Sequence, residues 1–392
     1  MSAEARERLA PASYTLFLLL LAYGLTLFGV GPSLLAIARD YGAPLGRMGA
    51  LYTGFFLGFS LSVLAAGYAA ERWGKKPVVQ AGLAILGLGA LAFGLAPRLG
   101  SFGLAVVVMG MVGVGGAAVE SVSSALLNDL NPRRSGLALN LSQGFFGIGA
   151  VIGPYFVGYL LGHGLSWRIH FYLAAAVMAV LFAVLLAQPV REPEAPRLTL
   201  GQLGGILRHP VFMLSAVAMV LYIGAEIGYT GWVSPFLERS LGAGPALASQ
   251  GVGLFWVGMT IGRMGSGWAA DRLGPERLVA VLSIAGAVFC VGTAVAGTAL
   301  GGLLTALAAG LALSGIFASI LTAMGNHFPD RVATVFALII ASVGIGGMTF
   351  PAVMGVLGEA AGLRLAMLVP AALLVLLCVT MVRLRGIERQ AR

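Results

Sequence analysis

The stretch that decides the fold is Gly67-Tyr-Ala-Ala-Glu-Arg-Trp-Gly-Lys-Lys76, which ends one apolar run and begins the next. Its pattern returns 200 positions later as Gly267-Trp-Ala-Ala-Asp-Arg-Leu-Gly274. A second set of residues recurs at nearly the same offset: Gly147, Gly149, Pro154 and Gly158 return as Gly344, Gly346, Pro351 and Gly355. A chain of 392 residues with such an internal repeat is expected to fold as two similar halves packed together.

The composition is typical of a chain that lies in a lipid bilayer. Hydrophobic residues make up 59% of the chain, charged residues make up 10%, and the mean hydropathy is +0.95, which is outside the range of soluble domains. Apolar runs of about 20 residues or more, long enough to cross about 30 Å of hydrocarbon, recur along the chain. The predicted spans are 13–38, 46–70, 76–96, 100–128, 137–161, 168–188, 210–236, 246–270, 277–298, 301–325, 332–357 and 363–384. The sequence therefore predicts an all-α membrane protein whose twelve transmembrane helices form two pseudo-symmetric six-helix bundles.

A polar, proline-rich stretch separates the sixth run from the seventh. Arg191-Glu-Pro-Glu-Ala-Pro-Arg197 is too polar for a membrane helix, and its composition favours a linker. The mildly amphipathic residues 198–207 follow it and favour a helix along the membrane interface. We therefore predict an N-terminal bundle over 1–190, a cytoplasmic linker over 191–209 and a C-terminal bundle over 210–392.

The basic residues follow the predicted topology. Seventeen of the 24 Lys and Arg residues fall on the side of the membrane that carries both termini, six fall on the other side, and Arg263 alone lies within a span away from its ends. By the positive-inside rule, both termini of this multi-pass protein are expected in the cytoplasm, in a bacterial-type inner membrane. The net charge of +9 is thus a topology signal rather than a sign of nucleic-acid binding. The expected partners are the lipid bilayer and a small-molecule substrate, and the chain is expected to act as a monomer.

The repeated turn is the predicted conformational gate. Its glycines allow close packing and a tight reversal, while its charged residues can pair across the two halves. A contact of this kind locks one side of the membrane in one state and breaks in the other. The residues assigned to the gate are Gly67, Glu71, Arg72, Gly74, Lys75, Asp271 and Arg272. The alternative, that these charges only set the topology, stays open.

Two acidic residues lie inside predicted spans. Glu120 is in span 4 and Glu226 is in span 7, whereas the other thirteen acids lie in loops, tails or span ends. A carboxyl group at membrane depth costs several kcal/mol unless it is protonated, paired or hydrated, so each is a candidate for substrate binding or ion coupling. A protonated acid that only hydrogen-bonds a neighbouring helix is the alternative for both.

Amide and aromatic side chains accompany these acids. Asn140 and Gln143, three positions apart at the start of span 5, share a helix face and can reach the depth of Glu120. Tyr229 and Trp232 follow Glu226 by three and six positions. Rings with polar tips beside carboxylates and amides suit a polyhydroxylated ring such as a sugar. Anchoring at the membrane interface is the alternative role for Trp232.

The sequence contains no pattern typical of a catalytic or metal site. The four histidines lack ligand spacing, and no nucleophile–base or phosphate-loop motif occurs. Cys290 and Cys378 lie in apolar runs, where a packing role is expected. We therefore expect no enzymatic activity and no cofactor, with a proton or sodium as the coupling ion.

The Gly-x-x-x-Asp/Glu-Arg-x-Gly turn, repeated in a six-plus-six layout, resembles the major facilitator superfamily over essentially the whole chain. Within that superfamily, the segments 120–127, 139–154 and 222–232 are similar to spans 4, 5 and 7 of the fucose/glucose/galactose permease branch, and Gly262-Arg263 is similar to part of its span 8. The resemblance implies alternating access and proton-coupled sugar uptake. It also implies substrate or coupling roles for Glu120, Asn140, Gln143, Glu226 and Trp232.

Two departures from that branch leave other solutes open. Phe28 to Pro32 lacks the second acid that proton-coupled fucose transporters of the branch carry in span 1. Ser314 to Thr322 lacks the polar-aromatic-proline cluster expected of a sugar permease in span 10. The solute is then less polar than a hexose, or the coupling differs.

Two other kinds of transporter remain as alternatives. Gly149 to Pro154 resembles the span 5 motif of antiporters, so one alternative is a proton-driven exporter of drugs or metabolites. Against it, span 4 lacks the intramembrane arginine that is usual in drug antiporters. A transporter of an amphiphile is the other alternative.

Overall fold

A computed structural model describes residues 9–190, 206–328 and 331–391 of the protein. Over these residues the regular structure is helical, and we number the membrane helices α1 to α12. Their bounds are α1 Pro11–Phe28 continuing as Val30–Tyr41, α2 Gly49–Trp73, α3 Lys75–Leu95, α4 Phe102–Ala117 continuing to Leu130, α5 Ser135–Gly162, α6 Arg168–Ala187, α7 Pro210–Leu241, α8 Pro245–Leu273, α9 Pro275–Val295, α10 Ala299–Leu313 continuing as Ile316–His327, α11 Val332–Ala361 and α12 Leu363–Ala366 continuing as Val369–Ala391. The predicted all-α fold is confirmed.

One predicted span differs from the others in composition. Among the described residues, eleven helices are long and apolar enough to cross a membrane by length and hydropathy alone. The remaining one, α8, has 29 residues and therefore the length, but it carries Arg263, Asp271 and Arg272. Helix α8 has the length and the position of a membrane helix, yet it carries charges that such helices usually lack.

The repeated turn has the same backbone conformation in both halves. Gly74 ends α2 with φ of 91°, and Gly274 ends α8 with φ of 81°. Each glycine donates its N–H to a carbonyl four residues back, that of Ala70 or Ala270. Because side chains disfavour positive φ, glycine is required at both reversals. The duplication in the sequence is therefore also a duplication in the backbone.

Helix packing within the halves repeats as well. An added Cβ on Gly58 of α2 would collide with the carbonyl of Gly110 on α4, so the two backbones touch. At an offset of 200, Gly258 of α8 and Gly310 of α10 lie in the same kind of backbone contact between their helices. Small residues allow this close approach, which stabilises helix pairs in membranes through dispersion contacts. The repeated packing therefore shows two pseudo-symmetric six-helix halves.

Among the described residues, the halves meet mainly where α2 packs on α11 and α5 packs on α8, with further contacts of α1 with α7 and with α8. At one end of the α2–α11 pair, the Gly46 N–H donates to the Glu359 carboxylate at 3.2 Å. Further along, the Thr53 hydroxyl donates to the Met348 carbonyl at 2.8 Å. We call this end of the molecule the closed end.

The opposite end carries the turns at Gly74 and Gly274, and we call it the motif end. An added Cβ on Gly67 or Gly267 would meet no described atom within 4 Å. Side chains on the same two helices are largely exposed there, including Tyr68 at 65% and Met264 at 86%. We infer from this loss of packing that the halves diverge toward the motif end and leave a cavity between them.

The predicted division into domains stays a prediction. The predicted linker over 191–209 lies mostly outside the described residues, as does most of its proposed interfacial helix. Helix α7 begins at Pro210, the predicted start of the second bundle. Proline fits the first turn of a helix because the N–H that it lacks has no partner there.

Candidate substrate site

Glu120 lies on an irregular turn of α4. Residues Ala118–Val122 form a π-helical turn inside the α-helix, a feature that often marks functional positions. The neighbouring Ser121 and Ser124 hydroxyls donate to carbonyls of their own helix at 2.6 and 2.8 Å. Their hydroxyl hydrogens are thus engaged, and the half-buried Glu120 carboxyl is the main polar group on this turn.

Tyr23 of α1 brings a hydroxyl group to Glu120. Its ring packs on Gly116 of α4, where an added Cβ would come within 2.7 Å of a ring carbon. The Tyr23 hydroxyl interacts with the Glu120 carboxyl, and the tyrosine side chain is 2% exposed. The glycine-rich approach to Glu120 therefore makes room for a hydrogen-bonding partner from another helix.

Glu226 occupies the middle of α7, 16 residues after Pro210 and 15 before Leu241. Its side chain is 7% exposed. Tyr222, one turn earlier, lies beside the carboxyl, but its buried hydroxyl lacks a well-aligned hydrogen-bond partner among the described residues. The pair repeats the Tyr23–Glu120 arrangement in the second half of the molecule.

Arg263 of α8 adds a positive charge to the region of the two carboxyl groups. Its guanidinium lies within electrostatic reach of both Glu120 and Glu226, which belong to different halves. Among the described residues no carboxylate oxygen lies within 4.0 Å of it. The three groups share one region without forming a contact ion pair.

The direction of Arg263 follows from the packing of α8 against α5. Contacts between these antiparallel helices pair Gly158 with Ser249, Tyr155 with Gly253 and Gly147 with Thr260. These α8 positions lie on one helix face, and Arg263 continues that face beyond Thr260. Arg263 therefore points toward the first half at the level where the halves separate.

Asn140 and Gln143 extend the opposite wall of the same opening. Both lie on α5, closer to the motif end than Gly147, and both are exposed. The Asn140 amide donates to the Gly136 carbonyl of its own helix at 2.8 Å, so its oxygen remains available. In the alignment of α5 with α8 that these contacts set, Gln143 lies opposite Met264, the residue next to Arg263.

Aromatic rings close this region toward the closed end. Phe28 of α1 lies 4.4 Å from Trp256 of α8, and Phe146 of α5 lies 5.7 Å from the same ring, measured between centroids. The Arg263 guanidinium lies 5.8 Å from the Trp256 ring centroid, within cation–π range. The Trp256 indole N–H is buried without a hydrogen-bond partner in the described part of the chain. The cavity thus ends on an apolar floor with one unused donor.

Tyr229 and Trp232 lie elsewhere in this conformation. Both are fully buried in the second half. The Tyr229 hydroxyl bonds to Thr293 of α9 at 2.7 Å, and the Trp232 indole donates to the Pro351 carbonyl of α11 at 2.9 Å. Neither ring contacts the open cavity. Their packing supports a role in holding α7 in position.

The predicted gate residues are separated here. Glu71, Arg72, Asp271 and Arg272 are exposed at the motif end. Lys75 forms an ion pair with Asp129 of α4 within its own half. Arg272 lies 4.1 Å from the ring centroid of Trp268, one turn away. Each of these two contacts lies within one half, so neither of them joins the halves.

Sequence reasoning missed three members of the site: Arg263, Tyr23 and Tyr222. Arg263 carried a signal, since it is the single basic residue that lies away from the ends of a predicted span. Tyr23 and Tyr222 are 199 positions apart, so the internal repeat also pointed to them. Helices α1 and α7 correspond in the two halves, and each presents its tyrosine at mid-membrane depth.

An apolar groove lies away from these charges. It runs between α9 and α12 and is lined by Ile284, Val288 and Val375 among others. Its volume is about 520 Å³, and its lining is almost wholly apolar. A groove within one half that offers no polar group is suited to lipid chains rather than to a polar solute.

Two six-helix halves around a charged mid-membrane cavity that is open at one end define a secondary membrane transporter. The Major Facilitator Superfamily matches residues 16–308 and 216–392, and the chain belongs to this family. Its family and fold are those of transporters rather than enzymes, and it is a multi-pass membrane protein.

Known relatives carry different solutes. The chain is 26% identical over 336 residues to a glucose/galactose transporter of Brucella abortus, covering 81% of this chain and 80% of the relative. It is 25% identical over 357 residues to a gallate transporter of Pseudomonas putida, covering 76% and 78%. Its fold is similar to the crystal structure of a bacterial homologue of the human lysosomal transporter Spinster in an inward-facing, unoccupied conformation, with a TM-score of 0.82, 15% identity and 97% of each chain covered. The predicted resemblance to a family with glucose/galactose transporters is confirmed.

Proposed function

We propose that this protein takes up a small polar solute, a sugar or a molecule of similar size and polarity, together with protons by alternating access. The observation that carries the proposal is the pair of mid-membrane carboxyls, Glu120 and Glu226, contributed by different halves and each accompanied by a tyrosine hydroxyl. Groups of this kind are retained at membrane depth where they bind solutes or coupling ions. The likeness to a glucose/galactose transporter supports the class of solute.

The orientation follows from the charges of the loops. Seventeen Lys and Arg residues belong to the side of the motif end, against six on the other side, so the motif end faces the cytoplasm. The conformation described above is then inward-open. A solute and a proton would leave to the cytoplasm from this state.

The coupling mechanism rests on charge neutralisation. With both acids ionised, Glu120, Glu226 and Arg263 carry a net charge of −1, which keeps the cavity hydrated. Protonation of Glu120 removes that net charge and lowers the cost of closing the cavity around a solute. Downhill proton movement thereby drives the conformational cycle, with the chain working as a monomer.

Uptake of radiolabelled hexoses into proteoliposomes tests this proposal. An imposed proton gradient should drive accumulation that an ionophore abolishes, whereas a sodium gradient should not. Glu120→Gln should abolish accumulation but spare equilibrative exchange, because glutamine remains polar yet cannot carry the proton. Glu276→Gln, the same change in the first turn of α9 and outside the cavity, is the matched control.

Three outcomes contradict the proposal in different ways. Loss of both accumulation and exchange in the Glu120 variant would make Glu120 a solute ligand rather than the proton carrier. Accumulation driven by a sodium gradient would identify sodium, rather than the proton, as the coupling ion. Extrusion of hydrophobic cations without any uptake of polar solutes would favour a drug exporter.

A further inference from the structure

Arg263 is an unusual group to find at membrane depth. A guanidinium in a membrane helix is costly unless it is paired or hydrated, and it is always charged. Among the described residues it has no carboxylate within ion-pair distance, although two carboxyls lie in its electrostatic range. Its position on the α8 face that packs against α5 directs the half-buried Arg263 toward the first half.

One further donor near Arg263 has no hydrogen-bond partner in the described part of the chain. It is the buried Trp256 indole N–H, whereas the Tyr222 hydroxyl lies beside the Glu226 carboxyl. Trp256 stacks under the guanidinium at 5.8 Å, and Tyr222 lies within its electrostatic range. Buried donors are nearly always satisfied in folded proteins, so the unused Trp256 N–H indicates that an acceptor is missing beside this ring.

The ligand chemistry that fits this set is a carboxylate. The planar guanidinium binds a carboxylate through two parallel N–H···O bonds, an arrangement that lysine cannot reproduce. The aromatic floor of Phe28, Phe146 and Trp256 offers apolar surface for a ring. Asn140 and Gln143 on the opposite wall offer amide groups for hydroxyls of the solute.

We propose that the transported solute is a small hydroxylated monocarboxylic acid whose carboxylate binds Arg263. This inference rests on the proposed proton-coupled uptake and specifies the solute class. It also explains the coupling. A carboxylate is repelled while Glu120 and Glu226 are both ionised, because the three groups then sum to −1. Protonation of Glu120 removes this repulsion, and protonation of Glu226 as well brings the sum to +1. Anion binding and protonation therefore favour each other.

The titratable groups that face Arg263 come from three helices. They are Tyr23 of α1, Glu120 of α4, and Tyr222 and Glu226 of α7. The two carboxyls are the groups whose charge can change in the ordinary pH range, since even a free tyrosine ionises only near pH 10. Solute affinity should accordingly increase as the pH falls.

Two pairs of solutes that differ only at one carbon test the inference. D-glucuronate is compared with D-glucose, and 4-hydroxybenzoate with 4-hydroxybenzyl alcohol, using the intact protein in proteoliposomes under a proton gradient. At least one acid should be taken up about tenfold or more in preference to its neutral partner. Its binding should tighten as the pH falls from about 7.5 to about 5.5, because a carboxyl at membrane depth favours its neutral form, whereas the acid itself stays ionised in this range.

Variants at Arg263 assign the preference to the guanidinium. Arg263→Gln should abolish the preference for the acid, and Arg263→Lys should reduce it about tenfold while keeping the charge. Arg277→Gln, on α9 at the motif end, is the matched control and should behave as the wild type. Size-exclusion chromatography and thermal unfolding of each variant establish that it is folded. The lysine variant keeps the test decisive if the glutamine variant does not fold.

The outcomes separate this inference from the proposed function. Equal uptake of glucose and glucuronate, lowered alike by Arg263→Gln, would overturn the inference and make Arg263 an internal counter-ion, while proton-coupled uptake would stand. Acid uptake that is unchanged by Arg263→Gln would also overturn it. Absence of any gradient-driven uptake would overturn both proposals.

Discussion

The two ends of α2 have similar compositions but differ in how they pack against the other half. Toward the closed end, Gly49 and Gly46, which lies just before α2, bring the backbone against α11, and Thr53 bonds across the same interface. Toward the motif end, Gly67 has no described neighbour within 4 Å of an added Cβ. Both ends are glycine-rich, yet only one of them is packed. A helix that carries a close-packing surface at each end can support two arrangements of the halves, each closed at one end.

Gly49→Leu should have the largest effect on this difference. An added Cβ at Gly49 would come within 2.5 Å of the Ala352 Cα and 2.6 Å of the Pro351 carbonyl oxygen. Backbone atoms cannot move aside as a flexible side chain can, so overpacking here should cost about 1–3 kcal/mol or more. The closed end should separate, and the motif end should close in response.

Spin labels on the exposed residues Tyr68 and Trp268 measure that movement. These positions lie on α2 and α8 at the motif end, and the two native cysteines are first replaced. The distance distribution should shift to shorter values in Gly49→Leu. An unchanged distribution in a folded variant would show that the closed end does not control the motif end.

Gly67→Leu tests the motif end of the same helix. Because Gly67 has no described neighbour here, the leucine should leave the Tyr68–Trp268 label distance unchanged. In the alternative arrangement the motif end is packed, and the leucine should then block closure. We expect gradient-driven uptake to fall about tenfold or more. Normal uptake by this variant would mean that Gly67 does not form a close contact in either state.

Thr53→Val should have an intermediate effect. The substitution keeps the shape of the side chain but removes the hydroxyl that donates to Met348 at 2.8 Å across the halves. Loss of such a bond costs about 1 kcal/mol, or roughly fivefold in the balance between the two arrangements. The matched control is Thr322→Val, whose hydroxyl bonds to Ala318 within its own helix. The label distance should shift partly in the first variant only, and equal shifts would argue against a specific role for Thr53.

Glu359→Gln should have the smallest effect. The Glu359 carboxylate accepts the Gly46 N–H at 3.2 Å, but the contact is exposed, and glutamine retains an acceptor oxygen. Exposed polar contacts contribute about 0.5 kcal/mol or less, so uptake should change by no more than about twofold. A tenfold loss would indicate that this contact, rather than the glycine packing, holds the closed end together.

The secondary structure and the repeat were accessible from the sequence because their signals are local. A membrane span requires only a long apolar run, and the duplicated turn retains the glycines that its positive φ angles demand. Glu120 and Glu226 were accessible for the same reason, since a carboxyl in an apolar run is visible without knowledge of neighbouring helices.

Contacts between side chains could not be derived in this way. Tyr229 follows Glu226 by three positions, which leaves it near the same face of α7, yet its hydroxyl bonds to Thr293 inside the second half. Which way a face points depends on the rotation and tilt of the helix, and both are set by packing against several neighbours. The same limit applies to Lys75, whose partner Asp129 lies on α4.

The sequence by itself determined that this protein crosses a membrane many times, that it consists of two related halves, and that two carboxyls lie at membrane depth. Hydropathy, glycine spacing and isolated charges encode these properties one segment at a time. Only the tertiary structure decided that Arg263 lies in electrostatic reach of both Glu120 and Glu226, and that the halves are closed at one end and open at the other. These properties depend on the relative positions of helices that are distant in sequence. Each helix surface can pack against more than one neighbouring helix, and the packing of the whole molecule decides which of them it contacts.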